Sequence, residues 1–96
     1  MIEQISKRQE SNIKIASVLL GHSDARIRMI GVQLKMLAEQ YPQQRAGQII
    51  CNYLCSDYRD ATPSVVTQIV LEELFPGNPD PFFEESVVTL KRLTTK

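Results

Sequence analysis

The chain of 96 residues contains no tryptophan, one histidine and two cysteines, and its eleven Lys and Arg offset eleven Asp and Glu. Each shortage excludes something. Without an excess of positive charge, no overall field draws in nucleic acid or anionic lipid. Without an apolar run near the ~18 residues of a membrane span, no transmembrane helix is expected. The stretch Met1–Glu10 carries polar residues along its whole length and does not read as a signal peptide. Cys51 and Cys55, four apart on an expected helix, meet disulfide geometry poorly, and a small secreted chain usually carries more staples. A reducing, cytoplasmic setting is the expectation.

What is present is helical spacing and ordinary globular composition, 43% hydrophobic and 23% charged. Ile2, Ile5, Ile13, Ala16, Leu19 and Leu20 make one stripe, with Lys7, Arg8, Glu10 and Lys14 opposite. Gly21 is expected as a left-handed C-cap, and Ser23 or Asp24 as the cap of the next helix. There Ile27, Ile30, Leu34, Leu37 and Tyr41 form the cleanest stripe, and Met29 and Met36 widen it enough to suggest two neighbours. Pro42 ends it. A third helix over about 44–56 should bury Ala46, Ile49, Ile50, Tyr53 and Leu54. Beside them Gly47, Cys51 and Cys55 form a small-residue stripe, and a mid-helix glycine costs about 1 kcal/mol unless another backbone approaches.

Ser56–Ala61 reads as a polar break. Thr62 and Pro63 then read as an N-cap and first helical position, leading into Val65–Leu74. The β-branched residues there keep a strand in view, but the polar positions fit a helix better. Three prolines in Pro76–Pro81 predict a stiff connector without regular structure. A closing helix contains Val87, Val88, Leu90 and Leu93, with Lys91, Arg92 and Lys96 at its end, where the helix dipole favours cations. Together these predict an all-α fold: residues 1–96 as a single compact bundle of four to five short helices. The run Leu20–Arg28 is similar to a HEAT-repeat junction, but it occurs once, and no period repeats three times as a solenoid requires.

Chemistry-bearing patterns are few. Cys51, Cys55 and His22 fall short of a four-ligand structural zinc site and lack its knuckle spacing, so two packed thiols are expected and no metal. No paired-carboxylate motif, phosphate loop or Ser-x-x-Lys signature occurs, so neither catalytic residues nor a cofactor are expected. Residues 1–48 hold seven basic against four acidic side chains, a balance of +3, and residues 49–96 hold the reverse, −3. Either the halves pair at their rim, or the basic half meets an acidic partner or nucleic acid, or copies associate.

Two groups of candidate residues follow. Arg26 and Arg28 stand in a first helical turn, where the macrodipole opposes them. With His22, Ser23 and the free amides of that turn they could clamp a phosphate, and in a helix-turn-helix-like arrangement Lys35 would face the groove with them. Arg45, Gln48 and Asn52 line one edge of the third helix, and Asn52 is expected to hold carbonyls of the proline-rich connector or to face a partner. Phe82 and Phe83 cannot both enter one core on a helix, so one should be a surface anchor beside Glu84.

The segment Tyr41-Pro42-Gln43-Gln44-Arg45-Ala46-Gly47-Gln48-Ile49-Ile50-Cys51-Asn52, with the later Asp80-Pro81-Phe82-Phe83-Glu84-Glu85-Ser86, resembles small uncharacterised bacterial and phage-borne proteins. Their shared features are an Arg-x-Gly-Gln-aliphatic-aliphatic helix and an Asp-Pro-Phe-aromatic turn, and the likeness covers about residues 41–93. The resemblance implies that the two motifs form one structural unit and that a phage or mobile-element accessory role is open; it carries no activity. The expected function is a non-catalytic protein-interaction module, with inhibition of a host factor as one form it could take. A small nucleic-acid-binding regulator is the alternative, and an oligomeric structural protein assembled through the methionine face is the second.

Overall fold

Five α-helices form where apolar spacing anticipates them. The structure, a computed structural model, describes the backbone of residues 2–95 and the side chains of 7–95, so Ile2, Ile5 and Lys96 lie outside the described side chains. Helices α1 (Ile2–Leu20) and α2 (Ala25–Gln40) make an antiparallel pair. Then come a short α3 (Ala46–Ile49) running on into a π-helical turn (Ile50–Leu54), α4 (Val65–Leu74), a 3-10 turn (Pro81–Phe83) and α5 (Ser86–Thr94). No strand occurs among the described residues, and the 64–71 segment belongs to a helix. The Cα radius of gyration is 12.3 Å, against about 12.5 Å expected for one domain of this length. No described helix is long and apolar enough to cross a membrane.

The core is one cluster. Ile15, Ala16 and Leu19 of α1 meet Ile27, Ile30 and Leu34 of α2, and Ile49, Ile50, Val70, Leu74 and Phe75 close it from the other side. The α1–α2 crossing is close because Gly31 lies against Ala16 and Leu19: a Cβ there would fall 2.9 Å from the Leu19 Cβ and 3.0 Å from the Ala16 carbonyl oxygen. The expected backbone approach at Gly47 is also present. A Cβ on Gly47 would overlap the Pro81 carbonyl oxygen and stand 3.0 Å from its carbon. The second motif's turn is thereby laid directly on the first motif's helix.

Several local expectations are corrected. Gly21 is not left-handed; among the described residues the only positive-φ glycine is Gly77, at 74°. Instead α1 ends by tightening, with Gly21 N donating to Val18 O and His22 N to Leu19 O, each at 3.1 Å. Helix α2 does meet more than one neighbour, α1, α3 and α4 among them, but Met29 and Met36 face away from the core and take no part; Leu20 of α1 is exposed as well. The third helix turns wide at Ile50, where Cys55 N donates to Ile50 O at 2.7 Å. That i→i+5 bond shifts the helical phase, and Tyr53 emerges into solvent while Cys51 and Cys55 go in. Ser64 rather than Thr62 caps α4, its Oγ accepting from Thr67 N at 3.2 Å. Pro81 is not irregular connector but opens a 3-10 turn.

Helix α5 follows the hydropathy reading at Leu90 and Leu93, which pack against the core, and departs from it in its first turn. Ser86 and Thr89 are buried and Val87 and Val88 are exposed. The reason is hydrogen bonding: Ser86 Oγ accepts from Ala46 N at 2.9 Å and donates to Asn12 Oδ1 at 2.5 Å. Asn12 Nδ2 in turn donates to Gln44 O at 2.8 Å. One turn earlier on α1, Arg8 forks onto Glu85 at 2.7 and 2.9 Å and reaches Gln43 O at 2.8 Å. Helix α1 thus grips both the 43–46 segment and the start of α5.

Overpacking a close contact costs about 1–3 kcal/mol. Gly47→Ala should therefore lower stability in urea denaturation by that order. Gly21→Ala, whose Cβ would meet only Val18 O at 3.6 Å, should leave it unchanged or raise it slightly.

Candidate interaction surface

Arg45 is where the two motifs meet. It precedes α3, its backbone N donates to Gln48 Oε1 at 3.2 Å, and its Nε donates to Phe82 O at 3.3 Å. Its guanidinium carbon lies 5.8 Å from the Phe82 ring centre and 6.0 Å from that of Phe83, within cation–π range. The two rings pack edge to face, 5.0 Å apart at 72°. Phe82 is half-buried, whereas Phe83 is 65% exposed.

The turn that presents Phe83 is held at several points. Pro81 is buried against Gly47. Asn78 Oδ1 accepts from Asp80 N at 2.9 Å, and Asp80 receives Arg59 Nη2 at 3.0 and 3.2 Å. Arg59 also covers the Tyr58 ring at 5.0 Å. Beside Phe83 opens a shallow hollow lined by Cys51, Asn52, Ser56, Tyr58, Arg59 and Phe82. Asn52 is exposed at its rim, and among the described residues it makes no hydrogen bond to the proline-rich connector. Arg45 instead bonds the carbonyl of Phe82, just beyond the connector.

Glu84 does not belong to this surface. Its side chain is 9% exposed and accepts from Arg92 at 2.6 and 3.0 Å, from Thr89 at 2.5 Å and from Asn78 at 3.0 Å. It is a structural anchor for α5. Burial pushes its pKa up, but the hydrogen bonds from Arg92, Thr89 and Asn78 outweigh that and hold it below the ordinary carboxylate value. Asp57 is held low by hydrogen bonds from the Thr67 hydroxyl and the Ser64 amide.

The five nucleic-acid candidates are placed differently. Asp24 is the cap of α2, its Oδ1 accepting from Arg26 N at 2.8 Å, and the Arg26 side chain folds back onto the same carboxylate at 3.2 and 3.0 Å. Hydrogen bonds from the Arg26 side chain and backbone bring the Asp24 pKa down to about 2. Arg28 donates to the carbonyls of His22 and Ser23, each at 2.9 Å. His22 Nδ1 accepts from Asp24 N at 2.9 Å, which leaves Nε2 to donate to Glu73 at 3.2 Å. Cations in this first turn are therefore structural, and they close the α1–α2 corner. Lys35 is exposed on another part of α2. Of the five, His22, Ser23, Arg26 and Arg28 meet at this corner, and Lys35 stands apart from them.

Both thiols are free and buried. Burial first, then the neighbouring Cys55 and Asp80, pushes the Cys51 pKa up to about 12; burial likewise raises Cys55. His22 is engaged with Glu73, and among the described residues no three His, Cys, Asp or Glu side chains cluster as metal ligands. The halves of opposite charge are joined by Arg8–Glu85 and His22–Glu73, while Arg59–Asp80, Arg92–Glu84 and Arg26–Asp24 pair within one half.

Sequence patterning does not single out Tyr58 and Arg59, since their loop reads only as a polar break, and it passes over Asn12 and Ser86 as well. The one available signal for Asn12 is its position, i+4 from Arg8 and i−4 from Ala16 on the inward stripe. No protein-family model matches the chain, and neither a curated protein nor a solved structure is detectably similar to it.

Two outcomes follow. Glu84 and Asp57 have folded-state pKa values below their ordinary 4.5 and 3.8. Their contribution is complete above those values and drains away as pH falls through the folded ones. Urea midpoints should thus drop below about pH 4.5, and Glu84→Gln should flatten that dependence while lowering stability at neutral pH. Separately, because the thiolate is the reactive form, both cysteines should react with a thiol reagent at about pH 8 only as fast as the protein opens, and at once in denaturant.

Proposed function

We propose that this protein acts without catalysis, by binding a protein partner through Phe83 and the ground around it. The carrying observation is a large aromatic ring, 65% exposed, on a turn whose other members are fastened. An exposed aromatic already held in place loses little conformational freedom on binding, and arginine-flanked aromatics dominate interface energetics. Among the described residues no carboxylate pairs with Arg45. The complementary partner therefore offers an apolar recess for Phe83 edged by a carboxylate for Arg45, with Asn52, Tyr58 and Arg59 on the polar rim. The likeness of both motifs to phage-borne proteins extends the proposal to an accessory or inhibitor protein that occludes a host factor in the cytoplasm. A nucleic-acid-binding regulator has less support, because Arg26 and Arg28 are spent on the α1–α2 corner.

The test is photo-crosslinking in cells from benzoylphenylalanine in place of Phe83, with the same probe replacing exposed Val65 as control. A single protein adduct formed from position 83 and not from 65, and competed away by the wild-type chain but not by Phe83→Ala, is the expected result. The purified Phe83→Ala variant should keep its stability within about 0.5 kcal/mol, as for a surface position. A nucleic-acid adduct, no adduct, or undiminished competition by Phe83→Ala would overturn the reading.

A further inference from the structure

The turn between α1 and α2 depends on a ring nitrogen keeping its lone pair. His22 is the single histidine of the chain, and its side chain is 29% exposed. Its Nδ1 accepts from Asp24 N at 2.9 Å, and its Nε2 meets Glu73 of α4 at 3.2 Å. An amide can donate only to a bare nitrogen, so the first contact demands the neutral ring with its proton on Nε2. The carboxylate at the other nitrogen favours the charged ring. Two neighbours of one imidazole thus ask for opposite protonation states.

The other charges at the corner are already engaged. Asp24, the cap of α2, holds the Arg26 backbone and side chain, and Arg28 is turned onto the carbonyls of His22 and Ser23. From α4 come Glu73, whose one ionic partner among the described residues is His22, and Glu72 beside it in the chain, which makes no ion pair among them. The last turn of α1, Ser17–Leu20, brings no ionisable side chain. Arg28 does not titrate in this range, so the backbone carbonyls of the turn stay pinned. What is left to move is the imidazole and the amide that it serves.

Once protonated, Nδ1 carries a hydrogen of its own and confronts the Asp24 N–H, donor to donor. The ring then turns away, the Asp24 amide passes to water at this half-buried surface, and Nε2–H stays on Glu73 as a full ion pair. We propose that His22 is a pH-operated latch of the α1–α2 corner. Neutral, it closes the turn onto the N-cap of α2 and touches α4; charged, it releases the Asp24 amide and holds α4 alone. Histidine is the side chain that ordinarily changes charge between about pH 5 and 8, so the latch works near neutrality. None of these residues lines the hollow beside Phe83, and the inference is independent of the function proposed above.

The test is nitrogen-15 NMR of the full chain between about pH 7.5 and about pH 5.5. At the upper end the His22 ring should show a bare Nδ1 and a protonated Nε2. On acidification the Asp24 amide resonance should move in step with the ring, through a single-proton midpoint. Its hydrogen exchange, corrected for the intrinsic effect of pH, should quicken about fivefold, the worth of one hydrogen bond. The Leu34 amide, in the middle of α2, should not follow. Asp24 is not itself the titrating group, since its pKa is about 2. Glu73→Gln should shift the midpoint to lower pH, because the charged ring loses its counter-ion. His22→Asn should abolish the change, because an asparagine oxygen accepts from the amide two residues on without titrating. A proton on Nδ1 at the upper end, an Asp24 amide indifferent to acidification, a midpoint unmoved by Glu73→Gln, or the same change in His22→Asn would each overturn the inference.

Discussion

Much of this fold hangs on one polar clasp: the inward edge of α1, where Arg8 and Asn12 hold two chain segments that are far apart in sequence. Asn12 and Ser86 are almost completely buried, and a buried amide or hydroxyl without partners costs about 1–3 kcal/mol. Here each is answered. The Asn12 amide serves Gln44 O, its oxygen takes the Ser86 hydroxyl, and that hydroxyl oxygen takes the Ala46 amide. Arg8 adds a forked ion pair to Glu85 and a bond to Gln43 O. An apolar contact could slide by part of a helical turn; a chain of directional bonds with these particular partners cannot without leaving members unsatisfied.

The functional surface inherits that rigidity. With the 43–46 segment and the start of α5 both fixed to α1, Gly47 and Pro81 are brought together, and the missing Cβ of Gly47 lets the 3-10 turn sit on the helix. Arg45 then reaches the Phe82 carbonyl and both rings. Phe83 is left outside because Phe82 and Pro81 already occupy the space beneath. Below the turn, Glu84 takes Arg92, Thr89 and Asn78, which secures its far end. Exposure of Phe83 thus follows from the packing of its neighbours and not from looseness of the turn.

Apolar periodicity is a good guide to where helices run and to the core residues of α1 and α2, because those stripes are long and their burial is hydrophobic. It fails where something other than hydrophobicity chooses the inward face. In α5 the buried positions are Ser86 and Thr89, selected by hydrogen bonds from distant residues, while Val87 and Val88 remain outside. In the third helix the π turn shifts the phase and exposes Tyr53. On α2, spacing alone could not separate a wide core stripe from a narrow core with a second apolar face behind it. The aromatic surface is half legible: Arg45, Phe82 and Phe83 are visible as candidates, but Tyr58 and Arg59 arrive from a loop with no periodic signal, and Glu84 is drawn inward by Arg92.

Local chemistry by itself determined the all-α class, the helix breaks at Pro42 and in the 55–64 segment, and the need for a backbone close to Gly47. These depend on side-chain spacing, fixed proline φ and a missing Cβ, all properties of residues near one another in the chain. Tertiary structure alone decided which backbone meets Gly47, that Arg26 and Arg28 close a corner, and that Met29, Val32, Met36 and Phe83 face outward. Those outcomes depend on partners dozens of residues away, and hydrogen-bond satisfaction and close packing can select among them only once the helices have met.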